Sequence, residues 1–241
     1  AACLQAGAGT ELHVVPGIEV STQWHDTDIH ICGLFIDPQS TSLKELVSAQ
    51  LKLRMERSAA IALRLERLGF AGAAEGARRL KPGNVVLTRG SYAQYLAHIG
   101  AAASRAEAFH RYLKQGRPAF VRTAWPGMKV AVTAIHAAGG LAVLAHPRRY
   151  RGLNNASLRR LITEFRALGG EGMEVSNCQQ RPCDREFLAD LARQYELLAS
   201  VGSDFHSAQP WRDLGFNIDL PARVHPVWED ARAAPYRFAV S

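Results

Sequence analysis

Two periods of hydrophobic residues divide this chain. Near the start, short β-type runs carry apolar side chains, Gly17-Ile18-Glu19-Val20-Ser21 and Ile29-His30-Ile31-Cys32-Gly33-Leu34, and Asp37-Pro38 ends the second. Before them, Ala1 to Gly7 reads as a helix tail and Leu12 to Val15 as the start of a strand, so the chain reads as opening inside a βα unit. A long helix follows. Ser42-Leu43-Lys44-Glu45 fits a capping box, Val47, Leu51, Met55, Ala62 and Leu65 recur at helical spacing, and Gly69 is the stop. From 70 to 126 short Ala-rich helical pieces alternate with Gly76, Gly83, Gly90, Gly100 and Gly116; Ser104-Arg105-Ala106-Glu107 is a second capping box, ahead of Phe109, Tyr112 and Leu113. After Gly127 the pattern becomes regular. It predicts a helix over Met128–Ala138, a strand over Leu141–Ala145 and a helix over Ser157–Leu168. A strand over Met173–Val175, a helix over Arg185–Tyr195 and a strand over Leu197–Val201 then follow. Strands alternating with helices predict a parallel sheet or an α/β barrel. The expected division is 1–69 and 127–241 as two parts of one α/β domain, with 70–126 as a small helical insertion domain.

Composition narrows the class. The chain has 241 residues, 47% of them hydrophobic, enough for a large core. No window approaches 18 consecutive apolar residues, so no membrane span is expected. No signal peptide is legible. Cys3, Cys32, Cys178 and Cys183 lack metal-finger spacing, and reduced cytoplasmic thiols are the expectation. The net charge of +7 favours anionic partners, nucleic acid or phosphorylated metabolites, against the plainer reading of a solvated basic surface. No protein partner is evident.

Candidate chemistry gathers where the apolar runs end. Glu19 sits between Ile18 and Val20, and His30 between Ile29 and Ile31. An ionised carboxylate within an apolar run is costly unless paired, and a divalent metal is one such partner. Leu144-Ala145-His146-Pro147 and Gly202-Ser203-Asp204-Phe205-His206 offer the same ligand types just beyond strands, where barrel enzymes place their chemistry. Glu19, His30, His146, Asp204 and His206 are therefore read as one metal site. A carboxylate such as Glu19 can bridge two ions about 3.5–4 Å apart. A lone buried histidine is usually a core residue; three with two acids at strand ends are not explained that way. His136 reads as structural and His25 as a surface residue. Arg148, Arg149 and Arg151 follow His146, and Arg89 opens a helix; guanidinium forks fit phosphate, so Arg149 and Arg89 are candidate substrate-phosphate ligands.

Together these segments resemble successive motifs of the PHP (polymerase and histidinol phosphatase) superfamily. The resemblance extends through Val86-Leu87-Thr88-Arg89-Gly90, Tyr112-Leu113-Lys114-Gln115-Gly116 and Cys178-Gln179-Gln180. They point to the subgroup of nucleoside 3′,5′-bisphosphate phosphatases and 5′→3′ exoribonucleases of the RNase AM type. The resemblance implies a distorted (β/α)7-type barrel with a helical insertion. It also implies up to three divalent ions, manganese foremost, with iron, zinc or magnesium as alternatives. Glu19 would bridge two ions, His30 and His146 would complete the second, Asp204 would bind the first and His206 the third. The implied reaction is attack by metal-activated water on a phosphate of a nucleoside 3′,5′-bisphosphate or on the 5′ side of short RNA, with His206 as a further catalytic group. This sequence departs from the family at its opening, which lacks a His-x-His strand, a following Asp and a Thr-Asp-His-Asp stretch; the barrel is accordingly expected to be N-terminally incomplete. Ser91 stands where the subgroup has His, and Arg148 where it has Gly. The alternative expectation is a truncated, catalytically impaired remnant that binds metal or nucleotide without efficient turnover.

Overall fold

A computed structural model describes residues 14–81, 83, 86–150, 152–178, 180–205, 214–215 and 218–236. The chain packs as two units. One comprises 1–46 and 126–241, the other 47–125.

The first unit is built on five strands: β1 (Gly17–Trp24), β2 (Thr27–Leu34), β3 (Leu141–Leu144), β4 (Gly172–Asn177) and β5 (Leu198–Gly202). They lie in sequence order, antiparallel from β1 to β3 and parallel from β3 to β5. The α/β class holds. Among the described residues the sheet is mixed and open, in keeping with the N-terminally incomplete barrel that the resemblance implies. The boundary with the second unit falls at Leu46/Val47, inside helix α1 (Thr41–Arg67). Ser42 is not that helix's cap, because the helix already begins at Thr41. In the second unit, α2 (Ala73–Arg79), α3 (Arg89–His98) and the short α4 (Arg105–Ala108) follow. Ser104 caps α4 through the Glu107 amide at 3.1 Å; the Glu107 carboxylate in turn accepts from the Ala103 amide at 2.8 Å. A π-helical turn, Phe109–Leu113, continues it.

Returning to the first unit, α5 (Met128–Ala137), α6 (Asn155–Ala167) and α7 (Pro182–Gln194) alternate with the strands. Val20, Ile29, Ile31, Ala142 and Leu144 share a core with Ile135 of α5 and Leu158, Leu161, Ile162 and Phe165 of α6. Strand β2 alternates: Ile29, Ile31 and Gly33 are buried, and the residues between them less so. Every residue of β3 and β4 is buried, as the inner strands of a parallel sheet require. Gly33 is needed for packing, since a Cβ there would stand 2.8 Å from the Ile135 side chain.

A polar cluster ties the starts of β3 and β4 to the C-terminal region. Arg232 donates to Glu171 at 2.7 Å, to Asp230 at 2.7 Å and to the Gly140 carbonyl at 3.1 Å. Glu171 also receives the Ala142 amide at 3.2 Å and contacts His136 at 3.0 Å, the structural setting in which His136 sits. Burial alone would raise the Glu171 pKa, but the bonds from Arg232, Ala142 and His136 outweigh it, and the carboxyl is held below its ordinary range. A depressed folded pKa stabilises the protein above the unfolded value and loses that stabilisation as pH falls through the folded value. Glu171→Gln is expected to lose on the order of 1–3 kcal/mol at neutral pH. Urea unfolding between pH 7 and pH 3 should show a shallower acid loss for the variant than for the unsubstituted protein.

Candidate metal centre

Strand register assembles the site. Glu19 stands opposite Cys32, and His30 opposite Ser21, so the two are diagonal neighbours on one face. The Ala145 amide donates to the His30 carbonyl at 3.1 Å, which places His146 at the end of β3 beside them. Glu19 Oε1 lies 2.7 Å from His30 Nδ1 and 3.1 Å from His146 Nε2, and the two ring nitrogens are 3.2 Å apart. Hydrogen bonding to His146 first, and to His30 next, holds the Glu19 carboxyl far below its usual range. The paired-carboxylate argument needs one correction. Ile18 and Val20 face the other side of β1, and the Glu19 side chain is 40% exposed. Its run is an amphipathic strand, not a buried one.

Three donors with edges of 2.7, 3.1 and 3.2 Å form a nearly equilateral triangle. Adjacent ligands of an octahedral ion bound at about 2.1 Å stand about 3 Å apart. One carboxylate oxygen and two imidazole nitrogens are also a donor set that divalent ions accept. These residues therefore fit a divalent metal, and they are the group among the described residues whose ligand atoms converge in this way. His146 Nδ1 is buried and has no hydrogen-bond partner among the described residues, so the ring is oriented by its Nε2 contacts.

Asp204 is placed differently. It lies two residues beyond β5 in a left-handed backbone conformation, φ 48°, and its carboxylate takes the Arg149 guanidinium as hydrogen-bonded partner. His206 lies outside the described residues, as does Arg151. Arg149 follows His146 and is partly exposed. Arg89 belongs to the second unit. It is the first residue of α3, capped by Thr88, and its guanidinium lies over the Phe109 and Phe120 rings at 5.5 and 5.9 Å. Arg148 bonds Asp184 at 2.9 Å and Asn155 at 2.8 Å. His25 sits in the exposed turn between β1 and β2.

Two residues that position the ligands escape the sequence pattern. Glu174, buried in β4, accepts the His146 amide at 3.0 Å and the Asn177 side-chain amide at 2.8 Å. Burial pushes its pKa up. A register shift between Glu174 and Ser176 bulges β4 at this point, a device that re-aims side chains beside active sites. Tyr150 links both histidine segments through one hydroxyl: it accepts the His30 amide at 3.0 Å, and the carbonyls of Ala145 and His30 lie at 2.5 and 3.2 Å. Glu174 was readable as a carboxylate between Met173 and Val175. Tyr150 gave no signal. A pocket of 390 Å³ opens beside the cluster, lined by His146, Arg148, Arg149, Glu174, Asn177 and Arg181, among others.

No protein-family model matches the chain. Individual proteins do. The 5′-3′ exoribonuclease Rnm of Escherichia coli K12 is 45% identical over 222 residues, which is 92% of this chain and 75% of that protein. The 3′,5′-nucleoside bisphosphate phosphatase of Chromobacterium violaceum is 35% identical over 229 residues, 95% of this chain and 80% of that protein. Among solved structures, an amidohydrolase from Chromobacterium violaceum with bound sulfate and no metal superposes with a TM-score of 0.80 at 35% identity, covering 89% of this chain and 75% of that one. A metal-dependent phosphoesterase from Bifidobacterium adolescentis gives 0.76 at 25% identity, covering 92% and 78%. Fold and site thus define a hydrolase of the metal-dependent phosphoesterase class. The chain belongs to the PHP superfamily, within the subgroup that holds the 5′→3′ exoribonucleases and the nucleoside 3′,5′-bisphosphate phosphatases.

Removing the carboxylate that holds the His146 amide should loosen the ligand set. Glu174→Ala is expected to weaken divalent-metal binding by about 10–100-fold, the usual cost of an outer-shell contact. Titration calorimetry of both proteins with Mn²⁺, alongside circular dichroism to confirm folding, reads this directly.

Proposed function

We propose that this chain hydrolyses a phosphate ester of nucleoside 3′,5′-bisphosphates and of the 5′ ends of short RNA, using divalent metal, with manganese as the working ion. The observation that carries the reading is the convergence of Glu19, His30 and His146 to about 3 Å beside a pocket lined with arginine. Both named relatives above act on phosphates of nucleotides or RNA, which is the same chemistry. The sulfate in the Chromobacterium violaceum structure is an anion of phosphate shape and supports a phosphate site in this fold.

Glu19, His30 and His146 would hold the ion, with Asp204 and His206 as the further candidate ligands that the sequence offers. When bound, the metal supplies Lewis-acid polarisation of the phosphoryl group and a water of lowered pKa. The protein's own residues supply the rest. Strands β1, β2 and β3 fix the ligand geometry before substrate arrives, so no reorganisation is needed at the reacting centre. Arg149 neutralises the phosphate; its present partner Asp204 shows that the guanidinium reaches a carboxylate at the rim of the site. Arg89, at a helix N-terminus, offers a second cation for a substrate phosphate. Asn177 and Gln180 line the pocket, where polar side chains suit the sugar or base of the leaving nucleoside.

Two sets of variants test this. Glu19→Gln and His30→Ala are expected to abolish Mn²⁺ binding and phosphate release from adenosine 3′,5′-bisphosphate, with the fold kept. Arg149→Ala and Arg89→Ala are each expected to cost about 1.5–3 kcal/mol in kcat/KM, a charge-assisted contact apiece. Full activity in metal-free His30→Ala protein would overturn the assignment of the ion; unchanged kcat/KM in both arginine variants would remove their role.

A further inference from the structure

The charge of this protein is sharply divided between its units. Residues 47–125 carry fourteen lysines and arginines against four glutamates and no aspartate. The remaining residues carry fifteen basic and eighteen acidic side chains. The net charge of +7 is therefore the sum of a unit near +10 and a remainder near −3. The unit thus holds ten more positive than negative side chains. Its glutamates, Glu56 and Glu66 on α1 among them, are interspersed with the cations but outnumbered by them.

The cations are also ordered. Arg57, Arg64 and Arg67, seven and then three residues apart, fall along one flank of α1. From Arg54 to Arg67 the helix advances about 20 Å, a length that spans several nucleotides. Against it lies the non-helical segment 117–125. Arg64 donates to the Phe120 carbonyl, and Arg54 and Arg57 lie over the Trp125 ring at 5.0 and 5.3 Å. Arg117 is exposed, just ahead of Phe120. Trp125 is buried beneath those guanidinium groups, whereas Phe120 is half-exposed with Arg89 over its ring at 5.9 Å. Cations that hold phosphates beside a ring that stacks bases are the means by which single-stranded nucleic acid is bound.

We propose that the 47–125 unit is the handle for single-stranded RNA: its cationic flank holds the backbone of the chain whose 5′ end is being processed. This rests on the RNA arm of the function proposed above. A nucleoside bisphosphate is too short to need such a surface, so the handle separates the two substrates. Longer RNA gains affinity from it and the bisphosphate gains none.

The test measures binding without turnover. Fluorescence anisotropy of a 5′-phosphorylated ten-nucleotide RNA is read in chelator across a series of salt concentrations. It compares the unsubstituted protein with the triple variant Arg64→Gln, Arg67→Gln, Arg117→Gln. Hydrolysis of adenosine 3′,5′-bisphosphate with Mn²⁺ is assayed in parallel. Each lost phosphate contact lowers the salt slope by about 0.7 for a single strand, so a drop of about 2 is expected, with at least tenfold weaker binding at low salt. The kcat/KM for the bisphosphate should stay unchanged. A companion triple variant to Lys keeps the charge and should keep the RNA affinity, which excludes a mere folding defect. An unchanged RNA slope and affinity in the Gln variant would overturn the handle. Equal loss on both substrates would overturn it too, by placing these arginines in the catalytic machinery or the fold. Equal affinity for a ten-base-pair DNA duplex would overturn the single-strand assignment. Absence of hydrolysis with RNA binding intact would instead strike the proposed reaction and leave the handle standing.

Discussion

Strand register is the constraint on which the site depends. Three ligand atoms meet because β1, β2 and β3 are held in one antiparallel alignment, with Glu19 across from Cys32 and His30 across from Ser21. Side chains alternate faces with every residue, so a slip of one position would send Glu19 or His30 to the opposite face. The same alignment puts Val20 across from Ile31, and Ile31 across from Leu144, in the core under α5 and α6. A slipped register would expose these isoleucines and leucines, each worth roughly 1.5–3 kcal/mol when buried. The hydrophobic core thus sets the geometry of the candidate ligand atoms: the energy that fixes the register is apolar.

Beyond the strands the backbone itself is bent toward the site. His146 and Asp204 both adopt positive φ, 28° and 48°, which L-residues avoid at a cost of order 1–3 kcal/mol each. His146 is retained there by Glu174, which accepts its amide, and by Tyr150, whose hydroxyl joins the preceding carbonyl of Ala145 to the His30 backbone. Glu174 is costly in its own right, being buried, and that burial raises its pKa. The Asn177 amide and the His146 amide offset the cost. These are polar interactions spent on conformation, and they sit where the sheet changes from antiparallel to parallel.

The alternation of strands and helices after Gly127 was legible because Gly139-Gly140 and Gly169-Gly170 punctuate it and the apolar spacings are strong. Observed bounds differ from the expected ones by one to three residues, as in α7, which starts at Pro182 where the pattern suggested Arg185. A proline at the first helical turn costs nothing, since its missing N–H would have had no partner. The open sheet was expected from the family resemblance and not from any local period, since closure depends on which strand edges pair. Glu19, His30 and His146 were visible as ligand types at strand ends, and the register brings them together. The reason first given for Glu19 was wrong in kind, because Ile18 and Val20 face away from it. The argument from a buried carboxylate belongs to Glu174, whose strand is covered on both faces. Tyr150 acts through backbone contacts made far along the chain, and no spacing announces those.

Charge segregation resolves a conflict that a uniform surface could not. A divalent cation is drawn to a unit with acidic excess, and a polyanion to one with basic excess. Spread evenly over the chain, the net charge of +7 would oppose metal loading at Glu19, His30 and His146. Neutralising the surplus would remove the attraction for RNA. Screening confines each field to about 8 Å of its own surface at physiological salt. The basic surplus lies in residues 47–125 and the acidic excess in the remainder. The sequence carries that division above all in its acidic residues, four within 47–125 and eighteen elsewhere.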